Sequence, residues 1–173
     1  MKNLKFLLIT LIITSCGTKV NYDYEKTTNF NEYKSYNYFD GMKTGLSELD
    51  TKRLISTMDA KLKTMGLIRS DNPDFYIDIQ SQDVQNRNNK NVGIGVGGGG
   101  GNIGGGISLG LPIGANKNTR ELVIEFVDDT KTGMFWQAIS ESSYNPNDTP
   151  EKREDRFKTV IEKVFSTYPP KSE

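Results

Sequence analysis

Leu122-Val-Ile-Glu-Phe-Val-Asp128, Asp129-Thr-Lys-Thr-Gly133 and Met134-Phe-Trp-Gln-Ala-Ile-Ser140 decide how this chain folds. The two flanking segments, rich in β-branched and aromatic residues, read as two strands. The segment between them ends in glycine, as a short hairpin loop requires. Downstream, Thr149-Pro150 supplies an N-cap and a proline at the first helical position. Phe157, Val160, Ile161, Val164 and Phe165 then recur at helical spacing, and Pro169-Pro170 ends the helix. A half-buried hairpin and a helix with one apolar face make two layers that bury each other.

Both kinds of element recur towards the N-terminus. Phe75-Tyr-Ile-Asp-Ile-Gln-Ser-Gln82 alternates as a strand after the turn Asp71-Asn-Pro-Asp74. Ser47-Glu-Leu-Asp50 reads as a helix start, with Leu54, Ile55, Met58, Leu62 and Met65 on one face and Gly66 as the stop. The opposite face carries Lys52, Arg53, Asp59 and Lys63, mixed charges that predict a solvated surface. Val20-Asn-Tyr-Asp-Tyr-Glu25 and Tyr33-Lys-Ser-Tyr-Asn-Tyr-Phe39 are two more strand candidates, and aromatic residues of this kind pave sheets more often than they bind ligands. The order β, β, α, β, glycine-rich segment, β, β, α predicts an α+β fold. Its sheet is expected to be mostly antiparallel, with two amphipathic helices packed on one face, plus a glycine-rich hairpin or loop.

The chain has 173 residues, 22 Lys+Arg against 22 Asp+Glu, no histidine and one cysteine. That length supports one domain. The charge balance argues against a nucleic-acid partner, which selects for a basic face. Without histidine there is no Ser-His-Asp triad and no imidazole ligand, and a single cysteine builds neither an internal disulfide nor a zinc cage.

Residues 92–114 hold most of the 17 glycines. Two arms, Val92-Gly-Ile-Gly-Val-Gly97 and Ile107-Ser-Leu-Gly-Leu-Pro-Ile-Gly114, alternate aliphatic with small residues around Gly97, Gly98, Gly99, Gly100, Gly101 and Asn102. Three readings stand: a hairpin joining the core, a loop that touches a partner or the membrane, and a spacer. Gly95-Val-Gly-Gly-Gly-Gly100 matches the dinucleotide fingerprint but is followed by more glycine instead of a helix. Gly106-Ile-Ser-Leu-Gly110 matches a nucleophile elbow with no histidine to serve it. Lys131-Thr-Gly133 copies the motif of penicillin-recognising enzymes, but no S-x-x-K accompanies it. Carboxylates remain as acid–base or oxygen-ligand candidates, Asp128-Asp129 at a strand end and Asp71 with Asp74 around a turn. They need a shared cleft to act, and turn acids more often cap backbone.

The first residues give an address. Met1-Lys-Asn-Leu-Lys5 is basic, and Phe6-Leu-Leu-Ile-Thr-Leu-Ile-Ile13 is far shorter than the roughly 20 apolar residues of a membrane-spanning helix. Ile13-Thr-Ser-Cys16 resembles the bacterial lipoprotein lipobox, in which the cysteine thiol takes a diacylglycerol before cleavage. The expected organisation is a signal peptide at 1–15, a lipidated N-terminus and tether at 16–19, and one domain at 20–173 with a glycine-rich insertion at 92–114. The covalent lipid on Cys16 is then the only attached group, with no other cofactor. Gly17, in place of the aspartate that retains lipoproteins in the inner membrane, implies the periplasmic face of the outer membrane by resemblance to Gram-negative sorting.

The layout resembles a family of bacterial envelope lipoproteins known as domain of unknown function 4136. The carriers are the lipobox cysteine, Val20-Asn-Tyr-Asp-Tyr24, Phe30-Asn-Glu-Tyr-Lys-Ser-Tyr36, Asn72-Pro-Asp74, the glycine-rich centre, Leu122–Asp128 with Gly133-Met-Phe-Trp136, and Tyr168-Pro-Pro170. The resemblance implies location and a one-domain architecture and brings no catalytic residues. A non-enzymatic, lipid-anchored domain that contacts an envelope protein is therefore expected. Its candidate exposed contacts are residues 93–106 with Tyr22, Tyr24, Tyr36 and Tyr38. The alternative is a small-molecule or glycan-binding module that stacks its ligand on Tyr rings and Trp136.

Overall fold

The computed structural model describes residues 17–84, 118–131 and 133–170. In chain order the elements are β1 (Lys19–Tyr24), β2 (Ser35–Tyr38), α1 (Glu48–Thr64), β3 (Ile68–Arg69), β4 (Phe75–Val84), β5 (Asn118–Asp128), β6 (Gly133–Tyr144) and α2 (Pro150–Val164). Both helices start where their caps stand. Ser47 Oγ accepts the Asp50 N–H at 3.2 Å, and Thr149 Oγ1 accepts that of Lys152 at 3.5 Å.

One six-stranded sheet runs in the order β1-β6-β5-β4-β2-β3. Pairs β1–β6, β6–β5 and β5–β4 are antiparallel, whereas β4–β2 and β2–β3 are parallel. The sheet is thus mixed, which corrects the expectation of a mostly antiparallel one. The cause is α1, which follows β2 and carries the chain back along the sheet before β3 and β4 begin, the crossover that parallel neighbours need. β3 has two residues, too few for any period to show. The glycine-rich hairpin or loop at 92–114 lies outside the described residues.

The inner face carries Tyr36, Tyr38, Phe75, Ile77, Ile79, Leu122, Ile124, Phe126, Trp136 and Ala138. Leu54, Met58 and Leu62 of α1 and Phe157, Val160, Ile161 and Val164 of α2 close over them into one core. Both helices therefore cover the same face. A bulge interrupts the hairpin: Phe126 pairs with Trp136, but Val127 pairs with Met134, so Phe135 has no partner. The extra residue turns two successive side chains inward. Phe135 and Trp136 are each 1% exposed, Met134 is 47% exposed, and Phe135 stacks on Tyr33 with ring centroids 4.2 Å apart.

Two carboxylates tie loop backbone to this frame. Asp74 Oδ2 accepts the N–H groups of Lys34 and Ser35, each at 2.8 Å, and so fixes the start of β2. Asp128 Oδ1 accepts the Thr130 N–H at 2.9 Å and its hydroxyl at 2.7 Å, and Oδ2 accepts the Tyr33 hydroxyl at 3.0 Å. Burial pushes both carboxyl groups up, but these hydrogen bonds outweigh it and hold both below the usual range. Because the folded values are depressed, this stabilisation is complete above the unfolded value of about 4 and is lost as pH falls through the folded ones. The urea midpoint is expected to drop as pH falls below about 4, less steeply in the double variant Asp74→Asn/Asp128→Asn. An equal slope in that variant would assign the acid sensitivity to other carboxylates.

Candidate functional site

Cys16, Gly97, Gly98, Gly99, Gly100, Gly101 and Asn102 lie outside the described residues. Of the four tyrosines, Tyr24 is the exposed one, at 36%, edge-on to Phe30. Tyr22 is half-buried, and its hydroxyl donates to the Lys163 carbonyl at 2.8 Å, fastening β1 to the end of α2. Tyr36 and Tyr38 are 2% and 7% exposed, which corrects their reading as exposed contacts and agrees with their reading as core. Their rings face the helices, and both hydroxyls donate to Asp59 Oδ1 of α1, at 2.9 and 2.8 Å. Burial and then Asp59 push both phenols far above their ordinary value. Asp59, read as part of a solvated face, is therefore a latch between α1 and β2. Trp136 is covered by Phe165 and Tyr168, with centroids at 5.7 and 5.2 Å, and offers no face to a ligand.

The carboxylate pairs do not share a cleft. Asp128 is 2% exposed and engaged as above, whereas Asp129 points to solvent. Burial, followed by the hydrogen bond to Asp128, pushes the Tyr33 phenol up to about 12. Asp74 is a strand cap, and Lys131 of the Lys131-Thr-Gly133 turn pairs with Glu32 at 3.1 Å. Among the described residues no group of three or more Cys, Asp or Glu is placed to hold a metal ion, and no helix is long and apolar enough to cross a membrane.

Two features stand out instead. The first is the sheet face turned away from the helices. Alternation places Asp23, Asp78, Glu121, Glu125 and Glu141 there, with Lys19 as the basic residue. Asp78 lies directly across from Glu125, and Glu121 from Glu141. Like charges in such positions destabilise a sheet. Three carboxylates are met by glutamines: Gln80 donates to Asp78, Gln82 to Glu121 and Gln137 to Glu125. Among the described residues, no lysine or arginine forms an ion pair with any of these five acids. Val123, Val127, Ile139 and Tyr76 lie between them, half-buried, and Phe39 stacks on Tyr76 at 5.1 Å.

The second feature is a small, half-open cavity on the helix side at one end of the sheet. Arg120 and Leu122 of β5 and Ser142 and Tyr144 of β6 form one wall. Asp50 of α1 and Arg153, Arg156, Phe157 and Val160 of α2 complete the wall. Each guanidinium is fixed. Arg153 donates to Asp50 Oδ2 at 2.7 Å, and Arg53 holds the other oxygen of Asp50 at 2.8 Å. Arg156 pairs with Asp148 and donates to the Ser143 carbonyl. Arg120 donates to Asp83 at 2.9 Å and lies 4.0 Å over the Tyr144 ring. Sequence reading missed this cluster because its members are far apart in the chain and each, alone, looks like an ordinary surface charge.

Geometry thus defines a two-layer α+β domain in which, among the described residues, no element covers the second sheet face. The chain belongs to the family described as Domain of unknown function (DUF4136), which it matches over residues 20–170. No curated protein matches it. Among solved structures it is similar to a PDZ domain protein from Parabacteroides distasonis, 14% identical with a TM-score of 0.54 over 91% of this chain. It spans only 36% of that longer protein. It is also similar to the PelC dodecamer from Paraburkholderia phytofirmans, 11% identical with a TM-score of 0.51, over 87% of this chain and 96% of that one. At such identities these likenesses concern the fold.

Proposed function

We propose that this protein is a non-enzymatic, lipid-anchored envelope domain, held at the periplasmic face of the outer membrane through Cys16, that docks a basic protein partner on the sheet face turned away from its helices. The observation that carries the reading is the acidic, partly apolar face itself. It places carboxylates directly opposite one another at a cost to stability, and a cationic surface is the complement that would relieve that cost. The valines, Ile139 and the Phe39–Tyr76 stack supply apolar area between the charges. Support for a non-catalytic role comes from Asp128, whose two oxygens accept from Thr130 and Tyr33, and from Asp74, whose Oδ2 caps the backbone of Lys34 and Ser35. β1 begins at Lys19, so the tether from Cys16 reaches roughly 10 Å and keeps the domain against the membrane.

A photocrosslinker at Val123 or Ile139 in intact envelopes is expected to give one defined adduct with a basic protein. Glu125→Lys and high salt should abolish that adduct, and a crosslinker at Ser56 or Lys158 on the helix layer should give none. An equal yield from the helix layer, or no adduct from a folded protein, would overturn the docking reading. Cys16→Ser is expected to release the chain from the membrane fraction, and retention would overturn the anchor.

A further inference from the structure

We propose that the arginine-lined cavity is a binding site for an amphipathic anion, a phosphate or carboxylate head carrying an aliphatic chain. Three cationic side chains, Arg120, Arg153 and Arg156, line it against one carboxylate, Asp50. Asp83 and Asp148 pair with Arg120 and Arg156 and are not among the lining residues. They hold the guanidiniums in place, so less side-chain entropy remains to be lost when a ligand arrives. The side chains of Arg120, Arg153 and Arg156 are 19–30% exposed, partly desolvated yet open to the mouth. Guanidinium geometry suits the paired oxygens of a phosphate or carboxylate. Deeper in, Leu122, Phe157 and Val160 provide an apolar floor that a bare inorganic anion leaves unused. Head and floor together select an amphiphile over a simple ion.

Position adds a second argument. Lys19 pairs with Glu141, and Glu141 with Glu121, so the first residue of β1 lies about two strand spacings, roughly 10 Å, from the strand bearing Arg120. Ser142 and Tyr144 continue β6 past that line. The cavity therefore opens at the end of the sheet where residues 17–19 enter. If Cys16 carries lipid, that end faces the bilayer, and the occupant is a phospholipid of the membrane. This placement rests on the anchor reading, whereas the chemistry of the cavity does not.

The test titrates the full chain with hexyl phosphate, inorganic phosphate and neutral hexyl glucoside by calorimetry. The lipidated protein is held in phosphatidylcholine nanodiscs, or in solution if the chain carries no lipid. Hexyl phosphate is expected to bind at least tenfold tighter than either control. Arg120→Gln should weaken it at least tenfold, and Ser142→Glu, which plants a carboxylate at the mouth, should do the same if the first variant folds poorly. Equal binding of hexyl phosphate and inorganic phosphate, or no loss in a folded variant, would overturn the proposal. Phosphatidylglycerol in the discs separates the sources: competition with hexyl phosphate assigns the site to a membrane lipid, and its absence assigns it to a soluble amphiphile.

Discussion

Phe135→Ala is expected to destabilise the fold by about 3–5 kcal/mol, whereas Met134→Ala changes it by less than about 0.5 kcal/mol. Denaturant midpoints at neutral pH, compared at unchanged m-value, measure both. Phe135 sits at 1% exposure between Tyr33, Phe75 and Phe126, so truncation removes ring contacts on several sides and leaves a cavity. Met134 is half in solvent. Strict alternation from Trp136 assigns the opposite pattern, with Met134 inside. The experiment therefore discriminates between the bulged register and a regular one. A large loss at Met134 and a small one at Phe135 would refute the bulge. Against a typical stability of about 5–15 kcal/mol, the Phe135 variant sits near the limit of folding.

Asp59→Ala is expected to cost about 2–4 kcal/mol, because it leaves two buried phenol hydroxyls without their acceptor. The loss is not additive with removal of the hydroxyls. In a Tyr36→Phe/Tyr38→Phe background, Asp59→Ala should cost less than about 1 kcal/mol, and the difference is the coupling energy. Arg69, 3.7 Å from Asp59, adds a surface pairing of smaller weight. If Asp59→Ala costs the same in both backgrounds, the latch between α1 and β2 is not what the aspartate provides.

Both results concern places where sequence period and structure part company. The strand-like composition of residues 122–128 and 134–140, with the glycine-containing loop between them, located the hairpin, and the Ser47 and Thr149 caps located the helix starts. That composition was silent on the bulge, since one inserted residue shifts which side chains face inward without changing composition. Likewise, charge on a helix face predicted solvent for Asp59, but the neighbouring strand supplied two tyrosine donors. The arginines of the cavity lie on α2 and β5, and nothing in their spacing along the chain marks them as neighbours.

Local sequence determined the elements, because helical and strand periods and end caps depend on residues within a few positions of one another. It also determined the absence of histidine chemistry. Only the tertiary structure decided which strands are neighbours and in which direction. Pairing depends on where α1 returns the chain, and that return is set by the burial of Leu54, Met58 and Leu62 against the sheet. The same packing decided that both helices share one face. Among the described residues no element covers the other face, where carboxylates line up across the strands, and the arginines of β5 and α2 gather around one cavity.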